Sequence, residues 1–251
     1  MEHYATGQQV YAAGLIFARL GAILMLIPGL GENFVPAMVR LAFAFLFALV
    51  LFPIVGPSVP AVPADVGGVA GAIIKEVLIG LTLGAILKLF MTSLSVAGEI
   101  ISIQTTLSFA QTANPMQATP STTLGTFLGL LGMVLIMSTN LHHLFLSAIV
   151  RSYVLFPFHK AVPVRDAAEL AVRTTGESFA LGLQLAAPVM AFAFIFNIAT
   201  GLVGRAMPQF QIFFVATPLL VLTSLSIFAL SLGAIGMVWI DHFRELLKVF
   251  G

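Results

Sequence analysis

The sequence predicts an all-α integral membrane protein with about six long apolar helices arranged in hairpins. Of the 251 residues, 59% are hydrophobic and only 8% are charged, whereas soluble domains carry about 25% charged residues. Six segments are long and apolar enough to cross a bilayer core, which requires about 20 residues of helix. The net charge of +1 argues against a nucleic-acid partner, because neutralising phosphates requires clustered Lys and Arg.

The six apolar segments are spread over the whole chain, and the first three contain charged residues. Arg19 lies in the middle of the first segment, Arg40 near the start of the second, and Lys75 with Glu76 within the third. The distribution of Lys and Arg over the connections places both termini in the cytoplasm by the positive-inside rule. The segments are Val10–Leu30, Met38–Val55, Val66–Phe90, Leu124–Val150, Phe179–Val203 and Ile212–Ile240.

The middle of the chain is polar but almost uncharged. Residues 100–150 contain no Asp, Glu, Lys or Arg, and the part between Gln111 and Thr123 holds Pro115 and Pro120. Non-helical backbone at membrane depth is tolerated only where protein or a water-filled cavity satisfies it. The pattern therefore predicts two helices that flank a buried or channel-lining loop at residues 110–123.

Small polar residues lead into this loop along one helical face. Ser95, Glu99, Ser102 and Thr106 follow at spacings of four, three and four, which places them on the same side of a helix. Such a stripe lines a wet path or meets a polar partner. Alternatively, the Ser and Thr hydroxyls bond only to the backbone of their own helix.

The segment Val162–Ser178 differs from the apolar ones. Arg165, Glu169, Arg173 and Glu177 follow at spacing four, a pattern typical of a solvated helix face with i,i+4 charge pairs. The intervening apolar residues could rest on lipid headgroups, so we interpret the segment as an interfacial helix. A polar connector without a partner is the alternative.

Charged and polar residues inside the apolar runs are candidates for buried pairing or subunit assembly. An unpaired charge in a membrane is costly, so each should face protein or water and have a partner. Lys75 and Glu76 point about 100° apart on a helix, so Glu76 should pair elsewhere, either with Arg19 or with another chain. A proton relay is a further alternative. The candidates are Arg19, Arg40, Glu76, Lys88, Glu99 and Gln104.

Glycines recur at spacings that let helices approach closely within lipid. Gly80 and Gly84 form one such pair, Gly125 and Gly129 form another, and Gly98 precedes Glu99. Packing within one chain explains most of these positions, and the surplus suggests that some helix faces meet other subunits.

No pattern of catalytic or metal-binding residues is present in the sequence. The chain has no Cys, and it contains no Ser/His/Asp constellation. His142 and His143 are sequence neighbours, so on a helix they should face different directions, whereas a helical zinc pair requires spacing three or four. We expect no enzyme activity, no metal and no cofactor.

Four stretches resemble the FliR family of flagellar type III export-gate subunits, whose relatives serve virulence secretion. They occur in the family's order and cover nearly the whole chain. The first two are LIPGLGENFVPAMVRLAFA and KEVLIGLTLGAIL, and the last two are AGEIISIQTTLSFAQTANP and STNLHHLFLSAIVRSYVLFPF. The third is the most specific. One departure is Asn114 before Pro115, where the family often has an acidic residue, so a charge-based role of the loop is in doubt.

The resemblance implies a non-catalytic subunit in the bacterial inner membrane, at the flagellar basal body. It implies a hetero-oligomer with FliP-like and FliQ-like membrane subunits, FlhB- and FlhA-like export components nearby, and an entrance pore for unfolded export substrates. Residues 1–160 would be a FliP-like part and residues 161–251 a FliQ-like helical hairpin. Within such an assembly the helices need not all cross the bilayer conventionally.

The resemblance also implies that the central loop plugs the closed pore. A polar, uncharged loop stiffened by prolines suits that role, because charges would retain passing segments. A virulence-type gate and a self-contained secondary transporter, with Glu76 as its midplane acid, remain as alternatives. The implied plug residues are Phe109, Gln111, Asn114, Pro115, Met116, Gln117 and Pro120.

Overall fold

A computed structural model describes residues 6–32, 35–108, 122–160, 164–207, 209 and 211–248. Within these residues the fold is all-helical, which confirms the predicted class. The seven α-helices are α1 Gly7–Leu26, α2 Ala37–Val55, α3 Val66–Gln104, α4 Thr123–Ser138, α5 Leu141–Leu155, α6 Val164–Ala206 and α7 Ile212–Lys248. A single 3₁₀ turn, Gly56–Ser58, follows α2.

Five of the helices are long and apolar enough to cross a membrane, and the pair α4 and α5 makes a sixth candidate. The prediction of about six apolar helices is therefore confirmed. The sixth candidate is not a straight span, because its two helices are bent by 80°. The bend occurs at Asn140, whose φ of 58° is left-handed, and Asn is one of the few non-Gly residues that adopt this conformation readily.

Local sequence signals account for the two ends of α1. Thr6 and Gln9 form a reciprocal capping box at its start, with the Thr6 backbone N–H 2.8 Å from the Gln9 Oε1. At its end the chain turns at Pro28, and Gly29 adopts a φ of 91°, which Gly tolerates without a Cβ clash. Gly31 then donates its N–H to the Ile27 carbonyl at 2.7 Å.

Two helices extend far beyond the predicted segments. The third helix continues to Gln104 instead of ending at Phe90, so the polar stripe belongs to the same helix as Glu76. The segment predicted as a separate interfacial helix is the first part of the 43-residue α6. No proline separates the charged ladder from the apolar run that begins at Phe179, so one helix continues through both. The charged ladder is the set of residues at spacing four, Arg165, Glu169, Arg173 and Glu177.

The chain divides into two compact units that interleave along the sequence. The first comprises Met1–Phe90, Asn140–Thr175 and Glu245–Gly251, and the second comprises Met91–Thr139 and Gly176–Arg244. This division follows spatial clustering, so it does not test the predicted boundary between a FliP-like part and a FliQ-like part near residue 160.

Each unit has its own buried residues. In the first, α1 buries Leu15, Ile16, Leu20 and Ile23 almost completely. In the second, Trp239 is fully buried, stacks on Phe243 at 5.2 Å between ring centroids, and donates its indole N–H to Ser93 at 3.2 Å. Burying an indole requires such a partner for its N–H group.

Candidate functional site

The two helices that flank the central loop touch backbone to backbone in the second unit. A Cβ atom added to Gly98 on α3 would lie 2.4 Å from the Cα of Gly125 on α4. Seven residues after Gly125 on α4, a Cβ added to Gly132 would lie 2.4 Å from the Cδ1 of Leu94, which is four residues before Gly98 on α3. Only glycine permits this approach, so α3 and α4 are held together close to the ends of the loop.

Local hydrogen bonds hold the two helix ends that flank the loop. On the α3 side, Thr105 donates its hydroxyl to the Ile101 carbonyl at 2.8 Å, and Thr106 has a φ of 60°, which is unusual for a β-branched residue. On the α4 side, Thr122 caps the helix by accepting the Gly125 N–H at 3.1 Å. The helix ends are therefore fixed at both sides of the loop.

The predicted plug residues lie outside the described residues. They are Phe109, Gln111, Asn114, Pro115, Met116, Gln117 and Pro120, and their role stays a prediction.

The polar stripe on α3, formed by Ser95, Glu99, Ser102 and Thr106, packs partly against α4. A Cβ on Gly129 would lie 3.9 Å from the Ser95 hydroxyl, and a Cβ on Gly125 would lie 3.7 Å from the Glu99 Cγ. Ser102 is buried. The glycines of α4 therefore make room for the stripe, and this part of it faces protein.

A second polar site lies in the first unit and centres on Arg19. This side chain is fully buried, as is Glu76, and the Arg19 Nε is 2.6 Å from the Glu76 Oε2. Of the two partners considered for Glu76, Arg19 is the one that the structure shows. The acidic side chain thus meets a charge 57 residues away on another helix, although Lys75 adjoins it in sequence.

The other donors of Arg19 bind the carboxyl end of α5. Its Nη1 donates to the Ser152 carbonyl at 3.0 Å, and its Nη2 donates to the Phe156 carbonyl at 2.8 Å. The last four carbonyls of a helix have no partner within the helix. Arg19 therefore caps α5 from a distant part of the chain, and the positive charge suits the negative end of the helix dipole.

Two aromatic rings surround the guanidinium. Its Cζ lies 4.3 Å from the centroid of the Tyr153 ring and 5.3 Å from that of Phe158. Tyr153 also donates its hydroxyl to the Ile16 carbonyl at 3.2 Å. Cation–π contacts of this kind gain strength when the cation is removed from water. We call Arg19, Glu76, Tyr153 and Phe158 the arginine cluster.

The arginine cluster joins three segments at one point. Arg19 lies on α1, Glu76 on α3, and Tyr153 with Phe158 lies at the end of α5 and just beyond it. Lys75 donates to the Phe158 carbonyl, which adds a second tie between α3 and the segment after α5. The sequence predicted the two charges as candidates, but it gave no signal that Tyr153 and Phe158 would complete their surroundings.

Close packing of α1 on α3 brings the ion pair together. A Cβ on Gly80 would lie 2.5 Å from the Arg19 carbonyl oxygen, and a Cβ on Gly84 would lie 2.8 Å from the Leu26 Cβ. Gly80 is four residues after Glu76, one turn along the same helix. The glycines therefore let α1 and α3 approach closely enough for Arg19 to reach Glu76.

The remaining candidates do not join either site. Arg40 donates from Nη1 to the Gly31 carbonyl at 3.3 Å, and its buried Nε has no partner among the described residues. Lys88 is exposed on α3, and Gln104 is the last residue of that helix.

The rings of His142 and His143 lie 4.3 Å apart, so these side chains meet, contrary to the expectation that they face different directions. No group of three or more metal-binding side chains occurs in the described ranges.

Comparison with known proteins gives a match over nearly the whole chain. Residues 10–246 match the family model described as bacterial export proteins, family 1. The flagellar biosynthetic protein FliR of Caulobacter vibrioides is 59% identical over 250 residues, covering all of both chains. FliR of Bacillus subtilis is 30% identical over 247 residues, covering 94% of this chain and 95% of the relative. FliR of Escherichia coli is 29% identical over 234 residues, covering 92% and 88%.

Proposed function

The chain belongs to the bacterial export proteins of family 1, and on that basis we propose that it is a non-catalytic subunit of the flagellar type III export gate. The observation that carries this proposal is the 59% identity to a flagellar FliR over the full length of both chains. The multi-span helical structure is compatible with an export protein of the membrane. We place the protein in the bacterial inner membrane, at the flagellar basal body.

The proposed assembly is a hetero-oligomer. It contains this chain with FliP-like and FliQ-like membrane subunits, and FlhB- and FlhA-like export components act beside it. Residues 1–160 correspond to the FliP-like part and residues 161–251 to the FliQ-like part. Two consecutive long helices, α6 and α7, fill the second part, which supports a helical hairpin there.

Unfolded export substrates enter through the pore of this assembly, and the central loop between α3 and α4 plugs the pore in its closed state. Two observations support this role. The loop sequence has no charged residue, and its two flanking helices are held together at Gly98 and Gly125. A fixed base lets a loop of this kind keep its position without charged contacts.

Co-expression with and without the FliP- and FliQ-like subunits tests this function. After detergent extraction, native mass spectrometry should show a hetero-oligomer with one copy of this chain, and the chain expressed alone should be recovered poorly. Deleting residues 111–120 should leave that complex intact but make cells permeable to a small dye.

A monomer or homodimer that is indifferent to these subunits would contradict the proposed function. Transport of a small solute by the reconstituted chain alone would support a secondary transporter instead. An intact complex without dye leakage after the deletion would reject only the plug. The control is a deletion in the connection between α2 and α3, Pro60–Ala64. This deletion should not cause leakage.

A further inference from the structure

Glu99 is a half-buried carboxylate on the polar stripe of α3, in an otherwise uncharged part of the chain. It is the only Asp, Glu, Lys or Arg in residues 89–150. On this helix Thr92 and Ile103 are exposed at seven residues before and four residues after it, so all three share one side of the helix. Glu99 therefore lies between the close crossing with α4 and a strip of the helix that is exposed among the described residues.

No cation of the described residues lies within ion-pair distance of Glu99. Two ion pairs seen among the described residues join Arg19 to Glu76 at 2.6 Å and Arg244 to Asp241 at 3.6 Å, and neither involves Glu99. Lys88 is 11 residues away on the same helix, about 16 Å at 1.5 Å per residue, which is beyond its reach. The central loop cannot supply a cation either, because residues 100–150 contain no Lys or Arg.

A carboxylate in this position requires compensation. A charge within an apolar membrane segment either pairs with an opposite charge, contacts water or becomes neutral. The arginine cluster shows how this chain compensates its other acidic residue in α3, namely with an arginine from another helix. For Glu99 the described helices offer no such residue, while the exposed strip beside it is open to a neighbour.

We propose that Glu99 binds a lysine or arginine side chain of a neighbouring membrane subunit. This inference rests on the proposed function, since it requires a hetero-oligomer. It assigns the open face of α3 next to the central loop to a subunit contact. The partner is recognised by its charge, and the glycines of α4 hold the helix that presents the carboxylate.

The first test replaces Glu99 by its neutral isostere. Glu99→Gln should lower the yield of the co-expressed hetero-oligomer by about tenfold or more, because the partner cation would remain buried without its counter-charge. The matched control is Glu245→Gln, which neutralises an exposed carboxylate on α7 and should leave the yield unchanged. If Glu99→Gln assembles as well as the unaltered chain, Glu99 makes no ion pair that the assembly needs and the proposal is wrong.

The second test identifies the partner by charge reversal. Cells that carry Glu99→Lys should be non-motile, and motile revertants can be selected and sequenced. We expect second-site changes that replace a lysine or arginine of another membrane subunit by a neutral or acidic residue. Revertants confined to this chain would overturn the proposal. Failure of the unaltered chain to form any complex would instead reject the proposed function.

Discussion

One side chain, Arg19, connects three segments of the first unit. Its guanidinium donates to a carboxylate on α3 and to two carbonyls at the end of α5, and two rings cover it. Planar guanidinium groups suit such multiple contacts better than an ammonium group does. Removing one partner of a buried pair is far more damaging than never having built the pair.

Replacing Arg19 should therefore destabilise the protein strongly. Arg19→Met keeps the length of the side chain but leaves the buried Glu76 without a counter-charge, at a cost of about 3–5 kcal/mol. We expect a lower thermal midpoint of the detergent-purified complex. The double variant Arg19→Met with Glu76→Leu should recover only part of the loss, because the Phe156 carbonyl loses its Arg19 donor and the Ser152 carbonyl keeps only the Phe156 N–H.

The matched control for this prediction is Arg244→Gln. Arg244 pairs with Asp241 at 3.6 Å, but both side chains are largely exposed, so the change should be close to neutral. If Arg19→Met and Arg244→Gln lower the midpoint equally, the arginine cluster does not stabilise the fold.

At the scale of elements, glycine decides where helices meet. Close backbone approach replaces the hydrophobic drive that is missing within lipid. Gly80 and Gly84 bring α1 onto α3 in the first unit, and Gly98 and Gly125 bring α3 onto α4 in the second. The crossing of α3 and α4 matters most for the proposed function, because it lies at the base of the central loop.

A single added methyl group should test that crossing. Gly98→Ala places a Cβ 2.4 Å from the Gly125 Cα, so the helices must separate or shift, and overpacking of this kind costs about 1–3 kcal/mol or more. Lower thermal stability of the complex and dye leakage through the membrane are the expected results.

Gly71→Ala is the control on the same helix, since nothing lies within 4 Å of its Cβ position. Alanine should be neutral or slightly stabilising there, because glycine lowers helix stability by about 0.5–1 kcal/mol. Equal behaviour of the two variants would show that the crossing of α3 and α4 tolerates a wider spacing.

At the scale of the whole molecule, some helices are longer than a bilayer is thick. The 43 residues of α6 extend for about 64 Å at 1.5 Å per residue, whereas the hydrocarbon core measures about 30 Å. Arg165 and Glu169 lie exposed in the first part of this helix, and Phe194 lies exposed in the later apolar part. The charged part should therefore stand outside the membrane.

Cysteine labelling can test this division, because the natural sequence has no Cys. Glu169→Cys should react with a membrane-impermeant maleimide in inside-out vesicles, since the positive-inside rule places this end in the cytoplasm. Phe194→Cys should stay unreactive because lipid or a partner covers it. Labelling of Phe194→Cys, or of Glu169→Cys only in intact cells, would contradict this topology.

Much of the fold could be predicted because its signals are local. Apolar runs of sufficient length predicted the spans. The break at Asn140 was not predicted, since the apolar run continues through it without Gly or Pro. The continuation of α6 across the charged ladder was also missed, because a change in composition was interpreted as an element boundary.

The class of the protein, the places of its apolar helices and its resemblance to the FliR family all follow from the amino-acid sequence. Composition and hydropathy sufficed for the class and the helices, because each helix satisfies its own backbone within lipid, whereas the resemblance rests on four sequence stretches. The folded structure was needed to show that Glu76 meets Arg19, that Arg19 caps α5, and that Gly98 faces Gly125. Those contacts join residues between 27 and 137 positions apart, and no local pattern specifies which distant helix a buried side chain will face.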